Sequence, residues 1–318
     1  MKKILFPILR VAVSCLLIVI LIYIMRDKYD LIINALKGTR VSIFAAAFFA
    51  FLSAITLASL RLKLIINAQD ISITLKEGLA LTFIGYFFNN FLPTAIGGDV
   101  VKAYYLSKKT HLKMGAYTSV FVDRVMGLIT MIFMAFISLT FAGKEAANDM
   151  IKYSIYGITL LSLSAIIFVM NKNIAKKFSF LLFFLKPIED KIKNVYNVVH
   201  KYKHHKVMML QSLVISFVSQ LLFFISLGLL AFSIGERMSM MDLLLRSPLI
   251  SAASLLPSIN GLGLREGATV MFFGPLIGKE NAFAVSILWL AILMIISVIG
   301  GVIYALRPQF KIKIKDIE

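Results

Sequence analysis

Charged residues follow two glycine-rich turns that lie far apart in the 318-residue chain. The first turn lies within NNFLPTAIGGDVVKAYY, and its candidate binding residues are Asn90, Pro93, Gly97, Gly98, Asp99 and Lys102. The second lies within LPSINGLGLREGAT, and its candidates are Pro257, Asn260, Gly261, Gly263, Arg265 and Glu266. Free N–H groups at the start of a helix and nearby cations bind phosphate readily. A lipid phosphate held at the helix start after the first turn would therefore be within reach of Lys102.

A further charged pair, Asp123 and Arg124, lies in SVFVDRVMG, within a long apolar run. An ionisable side chain inside a membrane is costly unless it is paired or faces water, so it indicates a functional site by default. Snorkelling from the first turns of a helix to the membrane interface is the structural alternative. The sequence leaves both interpretations open.

The charged residues of the turns also have structural interpretations. Asp99 could cap a helix that begins at Val100, and Lys102 could reach a lipid phosphate held at that helix N-terminus. Arg265 and Glu266 could pair with each other or, across an interface, with the first turn. Such buried pairs can be purely structural.

Polar uncharged residues mark the same regions. We expect the amides of Asn89, Asn90 and Asn260 to bond carbonyl groups that the helix breaks leave free, with substrate contact as the alternative. Gln220, in the middle of an apolar run, is expected to join two helices by a hydrogen bond.

The composition requires a lipid environment for the elements that carry these residues. Hydrophobic residues make up 59% of the chain and charged residues 16%, with a mean hydropathy of +0.88. Soluble domains carry about 25% charged residues. The apolar runs are long and unbroken, which indicates helices rather than barrel strands. The chain is therefore predicted to be an all-α polytopic membrane protein with a single domain over residues 1–318.

The apolar runs predict six full spans and two shorter segments. The spans lie near residues 6–25, 41–60, 115–141, 153–170, 208–233 and 282–306. The shorter segments, 78–92 and 241–256, each end in Leu-Pro and a glycine-rich turn. Broken backbone survives at membrane depth only where protein or a water-filled cavity covers it. We expect re-entrant helices here, although eight full crossings satisfy the same pattern.

Basic residues indicate the orientation of the chain. With the N-terminus inside, 23 of the 34 lysines and arginines fall in cytoplasmic segments, 10 fall outside, and Arg124 lies within a span. The excess of basic residues inside predicts that both termini are cytoplasmic, in the cell membrane. A net charge of +18 therefore indicates anionic lipid surfaces rather than nucleic acid.

The two turns repeat at a spacing of 164 residues, because Pro93 and Gly97 match Pro257 and Gly261. In the six-span arrangement the two segments enter from opposite sides, which predicts an inverted repeat with halves at 41–141 and 208–306. Inverted repeats place a substrate site near the membrane midplane and permit alternating access. Chance similarity of two glycine turns is the alternative explanation.

The longest polar stretch, 171–206, mixes lysines with phenylalanines. It is expected to lie along the inner leaflet and attract anionic lipid, or to be an ordinary basic cytoplasmic loop. Its histidines do not have the spacing of a metal site. We predict no metal and no cofactor.

The motifs NNFLPTAIGGDVVKAYYL, SVFVDRVMG and LLPSINGLGLREG together resemble the transmembrane flippase domain of the lysylphosphatidylglycerol synthase family. The resemblance covers nearly the whole chain and implies a lipid-translocating unit that uses the motif residues. Only residues 307–318 follow the last predicted span, so we expect no soluble synthase domain. Family members often carry arginine where this chain has Lys102, which keeps a cation but loses its bidentate geometry.

Four functions fit these observations. The leading hypothesis is a flippase for an anionic phospholipid, glycolipid or polyprenyl-phosphate lipid. Lys102, Arg124 and Arg265 would neutralise the phosphate, and Asp99, Asp123 and Glu266 would orient these cations or bind a coupling proton. The sequence lacks a nucleotide-binding phosphate loop, so transport is expected to be passive or coupled to an ion gradient or the membrane potential. An enzyme, such as a glycosyltransferase, is disfavoured because the sequence has no Asp-x-Asp pair and no polar stretch long enough for a catalytic domain. A solute transporter or an adaptor for envelope assembly would also fit the motifs, and a homo-oligomer is left open.

Overall fold

The computed structural model describes residues 29–91, 97–141, 149–170, 202, 205–255 and 261–306. Within these ranges the secondary structure is helical. The helices are α1 (Tyr29–Lys37), α2 (Val41–Asn67), α3 (Leu75–Phe91), α4 (Gly97–Lys108), α5 (Lys113–Phe141), α6 (Asp149–Met170), α7 (Lys206–Ser233), α8 (Met240–Ala253), α9 (Leu264–Ile277) and α10 (Lys279–Leu306).

Four helices of the described residues are long and apolar enough to cross a membrane: α2, α5, α7 and α10. They contain 27 to 29 residues, more than the ~20 residues that span about 30 Å of hydrocarbon. These helices match four of the six predicted spans. The chain is a multi-pass helical membrane protein.

The other predicted segments have different outcomes. The span predicted at 153–170 forms helix α6, which is not among these four, and the span predicted at 6–25 lies outside the described residues. The two short segments form α3 and α8, which contain 17 and 14 residues. The six-span count therefore stays a prediction.

Two sets of four helices follow each other with the same order and similar lengths. Shifting α2, α3, α4 and α5 by 164 residues brings them onto α7, α8, α9 and α10, with ends that differ by a few residues. Packing partners recur as well: α3 packs against α10, and its counterpart α8 packs against α5. The orientation of each set relative to the membrane stays a prediction.

The most extensive contact joins α2 and α7, the first helix of each set. Hydroxyl groups fasten this pair: Ser219 Oγ donates to the carbonyl of Ala54 at 2.9 Å, and Ser226 Oγ donates to that of Ala47 at 2.8 Å. The hydrophobic effect does not hold helices together inside a membrane. Small residues, which let helices approach closely, and hydrogen bonds from hydroxyl groups stabilise their packing instead.

Glycines allow backbone to touch backbone around α3. A Cβ atom on Gly98, at the start of α4, would lie 2.1 Å from the carbonyl oxygen of Gly85 on α3. A Cβ atom on Gly300 of α10 would lie 2.0 Å from the carbonyl oxygen of Phe83. Any larger residue at these positions would push the helices apart, so the glycines fix where α4 and α10 meet α3.

Candidate functional site

A cavity of about 340 Å³ lies where the two sets of helices meet, and all eight helices of the sets, or the turns that end them, contribute to its wall. Apolar side chains from α2, α5, α7 and α10 form part of the lining. The rest is polar and charged: Arg61, Thr82, Asn89, Asp99, Lys102, Asp123, Arg124, Ser219, Gln220, Ser251, Ser254 and Arg265. A polar chamber of this kind inside an apolar bundle is suited to a ligand with a charged part.

One carboxylate, Asp99, lies between two cations on one side of this cavity. Its Oδ1 is 3.1 Å from Nζ of Lys102, one turn along α4, and its Oδ2 is 2.6 Å from Nη2 of Arg124 on α5. The helix begins at Gly97, so Asp99 lies in the first turn and the prediction that it caps a helix beginning at Val100 is wrong. The first turn of α4 can approach α3 because Gly98 and Gly85 have no side chains.

A second ion pair joins α2 and α5. Nε of Arg61 is 2.7 Å from Oδ1 of Asp123, and Nη1 of Arg61 donates to Oγ of Ser216 on α7 at 2.9 Å. Gly127 leaves room for this guanidinium, because a Cβ atom there would lie 3.2 Å from Nη1. Asp123 and Arg124 are therefore neighbours in sequence that pair with different partners, and both of them line the cavity.

Arg265 and Glu266 pair with each other, one of the two arrangements expected from sequence. Nε of Arg265 is 3.1 Å from Oε1 of Glu266, and the two residues are only 2% and 4% exposed. The guanidinium also lies over the ring of Trp289, 5.2 Å from its centroid. Both Arg265 and Trp289 line the cavity, so the second turn supplies a cation held by a carboxylate and an aromatic face.

The glycines of the second turn set its backbone. Gly261 and Gly263 have φ angles of 76° and 81°, a region that side chains rarely allow. The N–H of Gly263 donates to Oε2 of Glu266 at 2.6 Å. Glu266 therefore caps the start of α9 with one oxygen and binds Arg265 with the other, which orients the cation at the cavity wall.

The amide side chains behave partly as expected. Asn89 accepts a hydrogen bond from the N–H of Gly98 at 2.7 Å, so it bonds a donor at the helix start rather than a freed carbonyl. Asn90 lies beside Met294, with Nδ2 3.9 Å from its sulfur atom. Gln220 of α7 donates to the carbonyl of Gly127 on α5 at 3.4 Å, which confirms the predicted interhelical bond. Pro93, Pro257 and Asn260 lie outside the described residues.

Two buried arginines and the tryptophan of this region are not among the residues predicted from the sequence. The predicted span ends at residue 60, which counts Arg61 in a cytoplasmic segment, but α2 continues to Asn67 and Arg61 is 7% exposed. The charge count places Arg246 in an outer segment, but it is 8% exposed and donates to the carbonyl of Phe272 at 2.9 Å. The apolar residues that follow Arg61, Leu62 and the pair Ile65–Ile66, are the signal that the helix continues.

The charges of the cavity do not cancel. Among the described residues four cations line it (Arg61, Lys102, Arg124 and Arg265) against two carboxylates (Asp99 and Asp123). Counting Glu266 behind Arg265 still leaves an excess of one positive charge. Buried charges are stable when they are paired or when a ligand compensates them, so an anionic group is the ligand that this lining favours. No cluster of metal-binding side chains occurs in the described ranges.

Comparison with known proteins places the chain in a family. The family model described as "Lysylphosphatidylglycerol synthase TM region" matches residues 8–301. No curated protein and no solved structure matches the chain significantly. The family match covers more than nine tenths of the chain and includes the described residues of the candidate cavity.

Proposed function

The chain belongs to the family of the lysylphosphatidylglycerol synthase TM region, and from this premise we propose that it moves an anionic lipid between the two leaflets of the cell membrane. The main observation behind this proposal is the cavity that both sets of helices line, with more cations than carboxylates in its wall. A phosphate-bearing head group could cross the membrane through this chamber while its chains stay in lipid. Membrane lipids are then its partners, and nucleic acid is not.

The paired carboxylates explain how such a cavity could bind a head group and also release it. Asp99 binds both Lys102 and Arg124 in the structure, so an entering phosphate would compete with Asp99 for these cations. An entering monoanionic phosphate would offset the excess positive charge of the cavity. Asp99 would pair with both cations again once the head group leaves. Asp123 has the same relation to Arg61.

The two sets of helices support alternating access as the mechanism. They have the same helix order, and the cavity lies between them. We propose that they form an inverted repeat with re-entrant α3 and α8, and that rocking of one set against the other opens the cavity to each side in turn. Both termini would then lie in the cytoplasm.

Leaflet exchange in proteoliposomes tests the proposal. Fluorescent phosphatidylglycerol, a polyprenyl phosphate and a zwitterionic phosphatidylcholine are compared as probes, with and without an imposed ion gradient. The intact protein is expected to accelerate exchange of the anionic probes. Arg124→Ala and Lys102→Ala should each slow it by about tenfold or more, because a hydrogen bond to a charged group contributes roughly 1.5–3 kcal/mol.

Arg237→Ala is the matched control for these variants. Arg237 is exposed, lies outside the cavity and contacts the ring of Phe232, so its loss removes an arginine without altering the lining. Exchange that is absent with every probe, or that survives in both cavity variants, would contradict the proposal and favour an enzyme, a solute transporter or an adaptor.

A further inference from the structure

A second cavity, of about 160 Å³, lies beside the first between α5, α6 and α8. Its lining residues are apolar apart from Thr159, whose hydroxyl group is buried and not exposed to the cavity. The lining residues are Leu128, Met131, Ile132, Ala135, Ile155, Ile158, Thr159, Pro248, Leu249, Ala252 and Leu255. An apolar void next to a charged one is unusual inside a bundle, because closely packed interiors leave few spaces of this size.

The two cavities share part of their walls. Leu128, Met131 and Leu255 line both the charged cavity and the apolar one. Leu128 lies one turn after Arg124 on α5, so the two residues lie on the same face of this helix. A ligand that fills both spaces must therefore carry an anionic group directly next to a hydrocarbon chain.

We propose that the apolar cavity is the binding site for the first part of a lipid acyl or isoprenoid chain whose phosphate head group occupies the charged cavity. This proposal rests on the proposed function, and it adds that the hydrocarbon chain of the lipid contributes to the affinity of the protein for the lipid. Leu160 and Leu161 of α6, which do not line this cavity, are each 72% exposed, as expected where a helix faces lipid. A chain leaving the cavity past α6 would therefore continue directly into the membrane.

Two ligands with the same head group, one with hydrocarbon chains and one without, distinguish binding in the apolar cavity from binding in the charged cavity. Long-chain phosphatidylglycerol carries the chains, and glycerophosphoglycerol is the same head group without them. Binding of each to the purified protein in detergent is measured by competition against radiolabelled phosphatidylglycerol. The intact protein should bind the long-chain lipid at least about tenfold more tightly, which corresponds to about 1.4 kcal/mol.

Ala252→Phe fills the apolar cavity without adding a charge. It should weaken binding of the long-chain lipid by about tenfold and leave binding of glycerophosphoglycerol unchanged. Ala135→Leu is a second variant, which fills the same cavity from α5, and it should act in the same direction. Ala46→Phe is the matched control, because Ala46 is exposed on α2 and lines neither cavity.

The outcomes distinguish this inference from the function on which it rests. The proposed hydrocarbon-chain site is wrong if the intact protein binds both ligands equally, or if the two cavity variants keep the full affinity for the lipid. The proposed head-group site would not be affected by either result. Equal loss of both ligands in these variants also overturns the chain site, because the two cavities would then act as one. Failure of the intact protein to bind either ligand overturns the proposed function itself.

Discussion

Nε of Arg61 lies 2.7 Å from Oδ1 of Asp123, so one ion pair joins α2 to α5 at the wall of the charged cavity. The same guanidinium donates to Ser216 at 2.9 Å and thereby reaches α7. Three membrane-spanning helices from both sets therefore meet at a single side chain. This arrangement makes Arg61 a structural centre of the cavity as well as a part of its lining.

Arg61→Met is expected to destabilise the protein by about 3–5 kcal/mol, because it leaves the carboxylate of Asp123 buried without its partner. The double variant Arg61→Met/Asp123→Leu should recover most of this loss, since it removes both charges. Unfolding by a denaturing detergent, followed by circular dichroism, measures the free energies. Equal stability of the single and double variants would contradict the assignment of this pair.

Asp99→Asn should strengthen binding of a phosphate head group by about tenfold and slow leaflet exchange. The substitution removes the anion that competes for Lys102 and Arg124, and each charge-assisted hydrogen bond contributes about 1.5–3 kcal/mol. Equilibrium binding and exchange are measured on the same preparation. Asp149→Asn serves as the control, because Asp149 pairs with Lys152 at an exposed helix start. Weaker binding in Asp99→Asn would show that Asp99 orients the cations rather than competing for them.

Gly98→Ala should destabilise the protein by about 1–3 kcal/mol or abolish its folding, since the added atom would lie 2.1 Å from the carbonyl oxygen of Gly85 and overpacking costs this much. Gly157→Ala on α6 is the control. Nothing lies within 4 Å of the added atom there, and alanine favours a helix over glycine by up to about 1 kcal/mol. Thermal unfolding should therefore move in opposite directions for the two variants.

The start of α3 gives a pH-dependent contribution to stability. Glu77 accepts a hydrogen bond from Lys109, and its Oε2 also accepts from the N–H of Thr74 at 3.0 Å. The bond from Lys109 is the main reason that the pKa of Glu77 is lower than its usual value, with the Thr74 N–H second. A lowered pKa in the folded state means that the stabilisation is complete above the usual carboxyl pKa and is lost as the pH falls through the folded value.

Glu77→Gln should therefore lower the melting temperature at neutral pH and have no effect at a pH below the pKa of the folded carboxyl group. Comparing the melting temperatures of the variant and the intact protein across this range measures the effect. A difference that persists unchanged in acid would mean that the charge of Glu77 is not what stabilises the start of α3.

The long helices were predictable because hydrophobicity alone determines them. Runs of about 20 apolar residues have no other stable state in a membrane, and α2, α5, α7 and α10 contain the predicted spans. The charged residues Asp99, Lys102 and Arg265 of the repeated turns line the cavity, and so does Arg124 of the long apolar run. The family match over residues 8–301 agrees with the resemblance that the motifs carry.

The pairing of the charges was not predictable from the sequence. Asp123 and Arg124 are adjacent, yet a helix points them in different directions, so Asp123 meets Arg61 and Arg124 meets Asp99. The partners come from helices that only packing brings together. The position of Arg61 was predicted wrongly for a related reason. Hydropathy locates the middle of a membrane helix, but the end of the helix depends on tertiary contacts such as those of the buried Leu62 and Ile66.

The position of Trp289 gives the protein a natural optical label. The chain contains one tryptophan, and this indole lies in the cavity wall with the Arg265 guanidinium 5.2 Å from its ring centre. All tryptophan fluorescence of the protein therefore originates at the site that we propose to hold the head group. Changes in its emission report on this one location, without a dye and without any substitution in the chain.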